Sequence, residues 1–251
     1  MDAPVIEVEA LTRDFGSSRA VNAVSFGVRA GEVVGLLGAN GAGKTTTLRV
    51  LAGLLKPTSG RTRVAGHDSH LEGLAARRSL GFLTASTGLY ERLTGREVLE
   101  TFGQLSGLAG ARLRTRIEAL TTELELGAFL DKRCGALSSG QRQRISIARA
   151  VVHEPAACVL DEPTATLDPL ASRDILELIV RSRARGAAVL FSTHRLEEAA
   201  EVCTRLLFMH RGNLVAQGTL AQVLEASGQP SLTRAFLHFS GDGRALTTSP
   251  P

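Results

Sequence analysis

The amino-acid sequence predicts an α/β fold in which a mostly parallel sheet is flanked by helices, with an antiparallel β subdomain and a helical insert. Two patterns lead to this prediction. In two separate parts of the chain, short apolar runs typical of buried strands alternate with helical stretches, which favours a parallel sheet covered on both faces. Between these parts, from about residue 88 to residue 151, the apolar residues follow helical spacing throughout.

The first part of the chain leads through strands to a glycine-rich loop. Apolar and polar residues alternate over Ile6 to Leu11 and again over Val24 to Val28, which predicts two strands of a half-buried antiparallel sheet. The continuous apolar run Val33 to Leu37 predicts a buried strand, and a helix from about Thr45 to Leu54 follows the loop. Two more short strands on either side of a helical stretch are expected near Arg61 to Val64 and Leu80 to Leu83.

The helical insert begins with a capping signal, and a second alternating part follows the insert. Thr94 and Glu97 have the spacing of a capping box, in which the side chain of each residue binds the backbone N–H of the other. The strands and helices expected after the insert are strands Ala157 to Leu160, Ala187 to Ser192 and Arg205 to His210, and helices Pro169 to Arg185 and Leu196 to Val202. A strand ending at Gly218 and two short helices complete the prediction. It divides the chain into one domain over residues 1–218 and a helical extension with a disordered tail over 219–251.

The composition excludes several classes of protein. The chain has 251 residues, of which 43% are hydrophobic and 22% charged, so neither a collagen-like nor a disordered chain is expected. Its apolar runs are far shorter than the roughly 18 residues of a membrane helix, and the N-terminus lacks the regions of a signal peptide, which predicts a cytoplasmic protein. The three scattered cysteines predict buried thiols rather than disulfides or a zinc site. The net charge of +4, without a run of five like charges, favours solvated basic residues over a nucleic-acid surface.

The loop after the third strand carries the most specific chemical pattern. It reads Gly38-Ala39-Asn40-Gly41-Ala42-Gly43-Lys44-Thr45, which fits G-x-x-x-x-G-K-[ST] with a strand before it and a helix after it. Glycines let the backbone curl so that successive N–H groups point at phosphate oxygens, and the N-terminus of the helix adds a partial positive charge. We therefore expect this loop and Thr46 to bind a nucleoside triphosphate, with the Lys44 ammonium on the β and γ phosphates and the Thr45 hydroxyl on Mg²⁺.

An acidic pair at the end of a later strand would complete such a site. Asp161 and Glu162 follow the apolar run Ala157 to Leu160, and ligands of doubly wound sheets bind at the carboxyl ends of the strands. Asp161 would hold Mg²⁺, directly or through water, and Glu162 would orient and deprotonate the attacking water. Taken alone, two acidic residues before a proline are more often a helix cap or a turn. The phosphate-type loop makes the catalytic interpretation the stronger one.

Together these motifs resemble the ATP-binding subunits of ABC transporters, and the resemblance extends over about Val5 to Gly218. Leu137-Ser138-Ser139-Gly140-Gln141 is similar to the L-S-G-G-Q signature of that family, with Ser139 in place of the first glycine. The resemblance implies that Ser138, Gly140 and Gln141 contact ATP held by the phosphate loop of a second copy of the chain. As a bare string of five residues, the segment is at least as consistent with a simple helix cap.

Three further positions take roles from the same resemblance. Ala165-Thr166-Leu167-Asp168 is similar to the loop that connects the two ATP sites of the dimer, and Asp168 followed by Pro169 also fits an ordinary helix start. His194 has the position of the switch histidine that touches the γ-phosphate. Phe15 has the position of the aromatic residue that stacks on adenine, where tyrosine is more frequent in the family. A phenylalanine is otherwise a core residue by default.

One segment departs from the family pattern. Gly81-Phe82-Leu83-Thr84-Ala85 stands where the family reads G-x-x-P-Q, with a glutamine that binds Mg²⁺ and senses the membrane partner. Ala85 has no side-chain oxygen and is unable to ligate a metal. Ser86 or a water molecule would have to take the place of the glutamine as a Mg²⁺ ligand. The stretch Gly81 to Leu93 resembles the bacterial export branch that includes sodium-extruding and multidrug-type ABC proteins.

The sequence thus predicts an ATPase subunit that drives export through a separate membrane-spanning partner. The resemblance implies that the chain works as a homodimer, on the inner face of the cell membrane. The main alternative is a soluble ABC-type ATPase with a non-transport task, for example on ribosomes. Such chains commonly carry two ATPase cassettes or long inserts, and this sequence has neither.

Overall fold

The computed structural model describes residues 3–84 and 88–241, in which ten strands form two sheets. The strands are β1 (Ile6–Phe15), β2 (Ser18–Val28), β3 (Val33–Leu37), β4 (Ser59–Val64), β5 (His67–Asp68), β6 (Leu80–Leu83), β7 (Ala157–Asp161), β8 (Ala188–Ser192), β9 (Arg205–His210) and β10 (Asn213–Gly218). The helices are α1 (Lys44–Leu51), α2 (Gly73–Arg78), α3 (Gly95–Leu105), α4 (Gly110–Glu123), α5 (Ser139–Val151), α6 (Pro169–Ala184), α7 (Leu196–Val202), α8 (Leu220–Ser227) and α9 (Leu232–Phe239).

The larger sheet has six strands in the order β10-β9-β3-β8-β7-β6. All neighbouring pairs in it are parallel except β9 with β10, and β3, β7 and β8 are buried along their whole length. This burial agrees with their continuous apolar sequences, because a parallel sheet covered on both faces leaves no polar side. The smaller sheet is antiparallel, in the order β2-β1-β4-β5. The α/β fold with a mostly parallel sheet and an antiparallel β sheet is therefore confirmed.

The helical insert packs through one long run of aliphatic side chains. Leu99, Ile117, Leu120 and Ile145 are fully or almost fully buried and join α3, α4 and α5 to the core. The predicted capping box at the start of α3 is present, with the Glu97 backbone N–H donating to Thr94 Oγ1 and the Thr94 backbone N–H donating to Glu97 Oε2. Because α5 returns directly to β7, the insert and the parallel sheet share one core.

Several predicted boundaries shift by a few residues. The first helix ends at Leu51 rather than Leu54, because Gly53 has a positive φ of 69° that is incompatible with continuing the helix. Strand β1 continues past Leu11 to Phe15, since its pairing with β2 tolerates register shifts along this stretch. The two-residue strand β5 is too short to leave a periodic signal in the sequence. The disordered tail is predicted over Gly241 to Pro251, and all of it except Gly241 lies outside the described residues.

The cysteines and the hydropathy of the helices can be set beside the expectations from composition. Cys134 and Cys158 are buried free thiols, as predicted, whereas Cys203 is partly exposed. Burial raises the pKa of the Cys158 thiol to about 12, and that of Cys203 likewise to about 12. In the described part of the chain, no helix combines the length and hydropathy that a membrane span requires.

Candidate active site

The phosphate loop, the acidic pair and His194 lie together at the carboxyl ends of the parallel strands of the six-stranded sheet, a place called the sheet edge below. Strand β8 lies between β3 and β7, and the three strands are parallel, so their carboxyl ends meet. The glycine-rich loop follows β3, Glu162 follows β7, and Thr193 and His194 follow β8. Three segments that are far apart in the sequence thus converge because of the order of the strands.

Backbone packing explains why the loop after β3 needs its glycines. A Cβ atom on Gly38 would lie 2.5 Å from the Met209 carbonyl oxygen, and one on Gly43 would lie 2.5 Å from the Ala20 carbonyl oxygen. Gly43 also has a φ of 102° and Gly41 a φ of 80°, which side-chain-bearing residues rarely adopt. These conformations turn the chain sharply into α1, so that the loop encloses the N-terminus of the helix.

The side chain of Lys44 lies within this loop. Its ammonium donates to the Gly38 carbonyl oxygen at 2.6 Å and to the Ala39 carbonyl oxygen at 3.3 Å, and the residue is 6% exposed. Burial lowers the pKa of Lys44 from its ordinary value, and the nearby carboxylates of Glu162 and Asp161 oppose this effect. The ammonium thus binds the loop carbonyls, and the charges of the acidic pair favour its protonated form.

Ser192, the last residue of β8, holds the acidic pair in place. Its hydroxyl donates to Asp161 Oδ1 at 2.6 Å and accepts from the Glu162 backbone N–H at 3.0 Å. The same N–H also donates to the Ser192 carbonyl oxygen at 3.1 Å. Asp161 is almost fully buried, so this hydrogen bond satisfies one oxygen of a carboxylate that has little access to water.

Glu162 and His194 are in direct contact. His194 Nδ1 lies 2.8 Å from Glu162 Oε2, the histidine side chain is 56% exposed and that of the glutamate 21% exposed. Since an ionised carboxylate only accepts hydrogen bonds, Nδ1 is the donor. Glu162 has a positive φ of 50°, a backbone conformation that is disfavoured for a residue with a side chain and is common at functional sites.

The donor set at this edge fits Mg²⁺. The Asp161 carboxylate and the hydroxyl of Thr45, at the start of α1, are the hard oxygen ligands that this ion prefers. Within the described residues no group of three or more histidine, cysteine or acidic side chains could hold a metal ion.

The signature segment lies on the helical insert, at the start of α5. The Gln141 backbone N–H donates to Ser138 Oγ at 3.2 Å, and the Ser138 backbone N–H donates to Gln141 Oε1 at 3.0 Å. Gly140 lies close to Leu167, since a Cβ atom at that glycine would be 3.6 Å from a methyl carbon of the leucine. Farther along α5, the Gln143 amide donates to the Pro163 carbonyl oxygen at 2.9 Å, so this helix contacts the turn that follows Glu162.

The remaining predicted positions are at the margins of the site. Phe15 is 47% exposed at the end of β1, and the Arg13 guanidinium lies 4.5 Å from the centre of its ring. Asp168 caps α6 by accepting from the Ala171 backbone N–H at 2.9 Å, and that hydrogen bond lowers the pKa of its carboxyl group. The predicted substitution of Ser86 for the missing oxygen at Ala85 falls outside the described residues.

Sequence reasoning missed the polar residues that hold this edge together. Ser192 is a hydroxyl at the end of an otherwise apolar strand, which is a weak sign that the residue binds a neighbour. Glu198 lies buried on α7 and accepts a hydrogen bond from Thr164 Oγ1 at 2.7 Å. Glu198 lies in a run of acidic and small residues, so the local sequence does not distinguish it from an exposed glutamate.

Comparison with known proteins identifies the family. The ABC transporter family model matches residues 21–165, from the middle of β2 to the turn after β7. The chain is 37% identical over 220 residues to the ABC transporter ATP-binding protein NatA of Bacillus subtilis, covering 87% of this chain and 89% of that protein. It is 36% identical over 225 residues to the Nod factor export ATP-binding protein I of a Rhizobium species, covering 90% and 74%.

Solved structures agree with this relationship. The structure of an ATP-binding subunit of an ABC transporter superposes with a TM-score of 0.89 at 32% identity, covering 94% of this chain and 99% of that one. The dimeric structure of a bacterial ABC transporter cassette gives a TM-score of 0.79 at 25% identity, covering 85% and 98%. With its phosphate loop, its acidic pair and this similarity along most of its length, the chain belongs to the ABC transporter family as an ATP-binding, ATP-hydrolysing subunit.

Proposed function

We propose that the chain is the energy-supplying subunit of an exporter, and that it binds Mg²⁺-ATP in two composite sites between two copies of itself. The observation that carries the catalytic part is the 2.8 Å contact of His194 with Glu162, beside the buried Lys44. Export is supported by the similarity to a relative named for Nod factor export. The resemblance of Gly81 to Leu93 to the export branch leaves sodium ions and drugs as candidate substrates.

In the proposed reaction, each side chain of the edge has one task. Lys44 binds the β and γ phosphate oxygens, and Thr45 and Asp161 hold Mg²⁺, which neutralises phosphate charge when bound. Backbone or hydroxyl groups of the other loop residues surround the phosphates, namely those of Gly38, Asn40, Gly41, Ala42, Gly43 and Thr46. Glu162 accepts a proton from the water that attacks the γ-phosphorus. His194, whose Nδ1 is engaged by Glu162, uses Nε2 toward the γ-phosphate, and Phe15 stacks on adenine.

The second half of each site is proposed to come from the other copy. Ser138, Gly140 and Gln141 would approach the ATP held by the partner copy, and the N-terminus of α5 would add its partial positive charge. Support comes from the exposure of Ser138 at this helix start and from the dimeric state of a structural relative. ATP would then hold the two copies together, and its hydrolysis would release them.

A groove between the sheet and the insert is the proposed contact for a membrane-spanning partner. The groove has a volume of about 450 Å³ and is lined by the segment that follows α1 and by residues of α2, β6, α3 and α5. The leucines at its rim are unusually exposed, namely Leu54 at 57%, Leu74 at 64% and Leu105 at 74%. Exposed large aliphatic residues grouped at a groove are typical of a protein contact, and Arg77, Arg78 and Arg149 add positive charge around it. The chain would bind there at the cytoplasmic side of the membrane.

The experiment is membrane association of variants at the groove. Leu105→Glu adds a charge to the groove and should reduce both the amount of chain on washed membranes and its crosslinking to an integral membrane protein. ATP binding by the isolated variant should be unchanged. Val215→Glu, on β10 at the far edge of the sheet and 42% exposed, is the matched control and should behave as wild type.

The outcomes separate the two candidate functions. Equal membrane recovery of Leu105→Glu and wild type would contradict the groove as the partner contact. Recovery of the wild-type chain with ribosomes, and none on membranes, would favour the alternative of a soluble ABC-type ATPase.

A further inference from the structure

A buried carboxylate outside the predicted site joins two of its loops. Glu198 lies on α7, is 9% exposed and accepts two hydroxyl donors at one oxygen. Thr164 Oγ1 donates to Glu198 Oε2 at 2.7 Å, and Thr193 Oγ1 donates to the same oxygen at 3.4 Å. Thr164 and Thr193 are themselves almost fully buried, so both hydrogen bonds are shielded from water.

The other oxygen of Glu198 binds a positively charged side chain. Arg195 donates from one guanidinium nitrogen to Glu198 Oε1 at 3.0 Å and to Ser172 Oγ on α6 at 3.1 Å. The Arg195 backbone N–H donates to Thr193 Oγ1 at 2.9 Å, so the threonine hydroxyl accepts one hydrogen bond and donates another. The charge is thus paired, and every polar group named here has a partner, which is the condition for a buried network to be rigid.

The two threonines bound by Glu198 lie next to the two proposed catalytic side chains in the sequence. Thr164 is two residues beyond Glu162, and Thr193 immediately precedes His194. The same carboxylate oxygen therefore binds the two segments whose side chains meet at 2.8 Å in the candidate active site. We propose that Glu198 is a positioning residue, which holds the Glu162 and His194 loops in register so that the two side chains stay in contact. This inference rests on the roles proposed for Glu162 and His194.

The chemistry of the site explains why a carboxylate is needed. Both oxygens of Glu198 accept, one from two hydroxyls and the other from a guanidinium. A glutamine would keep only one acceptor, and its NH₂ group would face a donor on one side. The backbone of Glu162 has a strained φ of 50°, which persists only where the surrounding structure fixes it. The hydrogen bond of Thr164 to Glu198 fixes the chain just after Glu162.

Paired threonine variants test the proposal. Thr164→Val and Thr193→Val remove one hydroxyl each while keeping the shape, and Thr164→Ser and Thr193→Ser restore it. Each valine variant should lower kcat for ATP hydrolysis about ten- to a hundredfold, the effect expected from one hydrogen bond to a charged group, with KM for ATP within about twofold of wild type. The serine variants should recover most of kcat. Thr121→Val, whose hydroxyl donates to a backbone carbonyl on α4, is the matched control.

A spectroscopic measurement separates positioning from general stability. The ¹⁵N shifts of the His194 ring report which nitrogen carries the proton, and the signal is assigned by its loss in His194→Ala. In the wild type the Nδ1-protonated tautomer should dominate, because Nδ1 donates to Glu162. Thr164→Val, Thr193→Val and Glu198→Gln should reduce this preference, whereas Thr164→Ser and Thr193→Ser should keep it. Glu198→Gln also provides a second variant if Thr164→Val fails to fold.

The two possible failures are distinguishable. Wild-type kcat and an unchanged tautomer in both valine variants, with Glu162→Gln inactive, would overturn the role of Glu198 and leave the proposed active site intact. Normal turnover by Glu162→Gln would instead overturn the active-site assignment on which the inference rests. Equal losses of kcat in Thr121→Val and Thr193→Val would indicate a general effect of the substitution and would also overturn the proposal.

Discussion

The two halves of the proposed ATP site differ in how completely the chain builds them. At the sheet edge, Asp161, Glu162 and His194 are held by neighbours from other segments of the same chain, and Lys44 is held by carbonyls of its own loop. At the start of α5, by contrast, Ser138 and Gln141 are bound to each other in a local capping box. The first half depends on the tertiary fold, and the second is a preformed helix end on the surface. Such a helix end is suited to meet a ligand that another molecule presents.

The largest expected effect breaks the sheet-edge half. In Glu162→Gln the amide keeps the size of the side chain but is unable to accept the proton from water. Turnover should fall about 100- to 10,000-fold, while ATP binding is retained. An ATP-bound dimer should accumulate and be visible by gel filtration. Glu225→Gln, an exposed change on α8, is the control, and turnover of Glu162→Gln within twofold of this control would contradict the assignment of Glu162 as the base.

A second change removes the cation of the same half. Lys44→Ala should weaken ATP binding about ten- to a hundredfold, because the ammonium no longer pairs with the β and γ phosphates. The control is Lys56→Ala, which removes an exposed lysine outside the loop. Calorimetry measures both affinities. Equal affinities would mean that the loop does not hold the triphosphate.

Mixing two inactive variants compares the halves directly. Ser138→Arg blocks the surface half and Lys44→Ala disables the sheet-edge half, so each homodimer should be inactive. A heterodimer of the two contains one site with an intact loop and an intact signature. ATP hydrolysis should therefore reappear on mixing and be largest near equal proportions. No recovery, with subunit exchange shown by a labelled-chain assay, would contradict a composite site that works independently of its twin.

The smallest expected effect separates a cap from a binding residue. Ser138→Ala and Thr94→Ala each remove the side-chain acceptor of a capping box, and each should lower the free energy of unfolding by about 1 kcal/mol. Denaturant unfolding checks this value. Only Ser138→Ala should also reduce ATP hydrolysis by the folded protein. If both variants hydrolyse ATP equally well, the signature segment acts only as a helix start.

The sequence predicted those parts of the fold and site that depend on local patterns. The buried strand Val33–Leu37, the helix Leu196–Val202 and the capping box at Thr94 follow directly from periodicity and spacing. Glu162 and His194 could be named as candidates, but their contact depends on β7 and β8 being neighbours in the sheet. Ser192 and Glu198 were missed because each binds a distant segment, Asp161 at a separation of 31 residues and Thr164 at a separation of 34, and no local pattern encodes such a pairing.

The crowding around Gly38 and Gly43 limits how this loop can be altered by evolution or by design. At both positions the nearest obstacle to a side chain is a main-chain carbonyl oxygen, of Met209 for Gly38 and of Ala20 for Gly43, and at Gly38 the Ala42 Cβ would also lie 2.9 Å away. A compensating side-chain substitution elsewhere would leave that oxygen in place, so it would not by itself make room for an alanine. An added Cβ at Gly41 would meet no protein atom within 4 Å, so the fold itself restricts this position only through its positive φ of 80°. Asparagine, which tolerates that conformation better than most residues, is the replacement most compatible with the loop at this position.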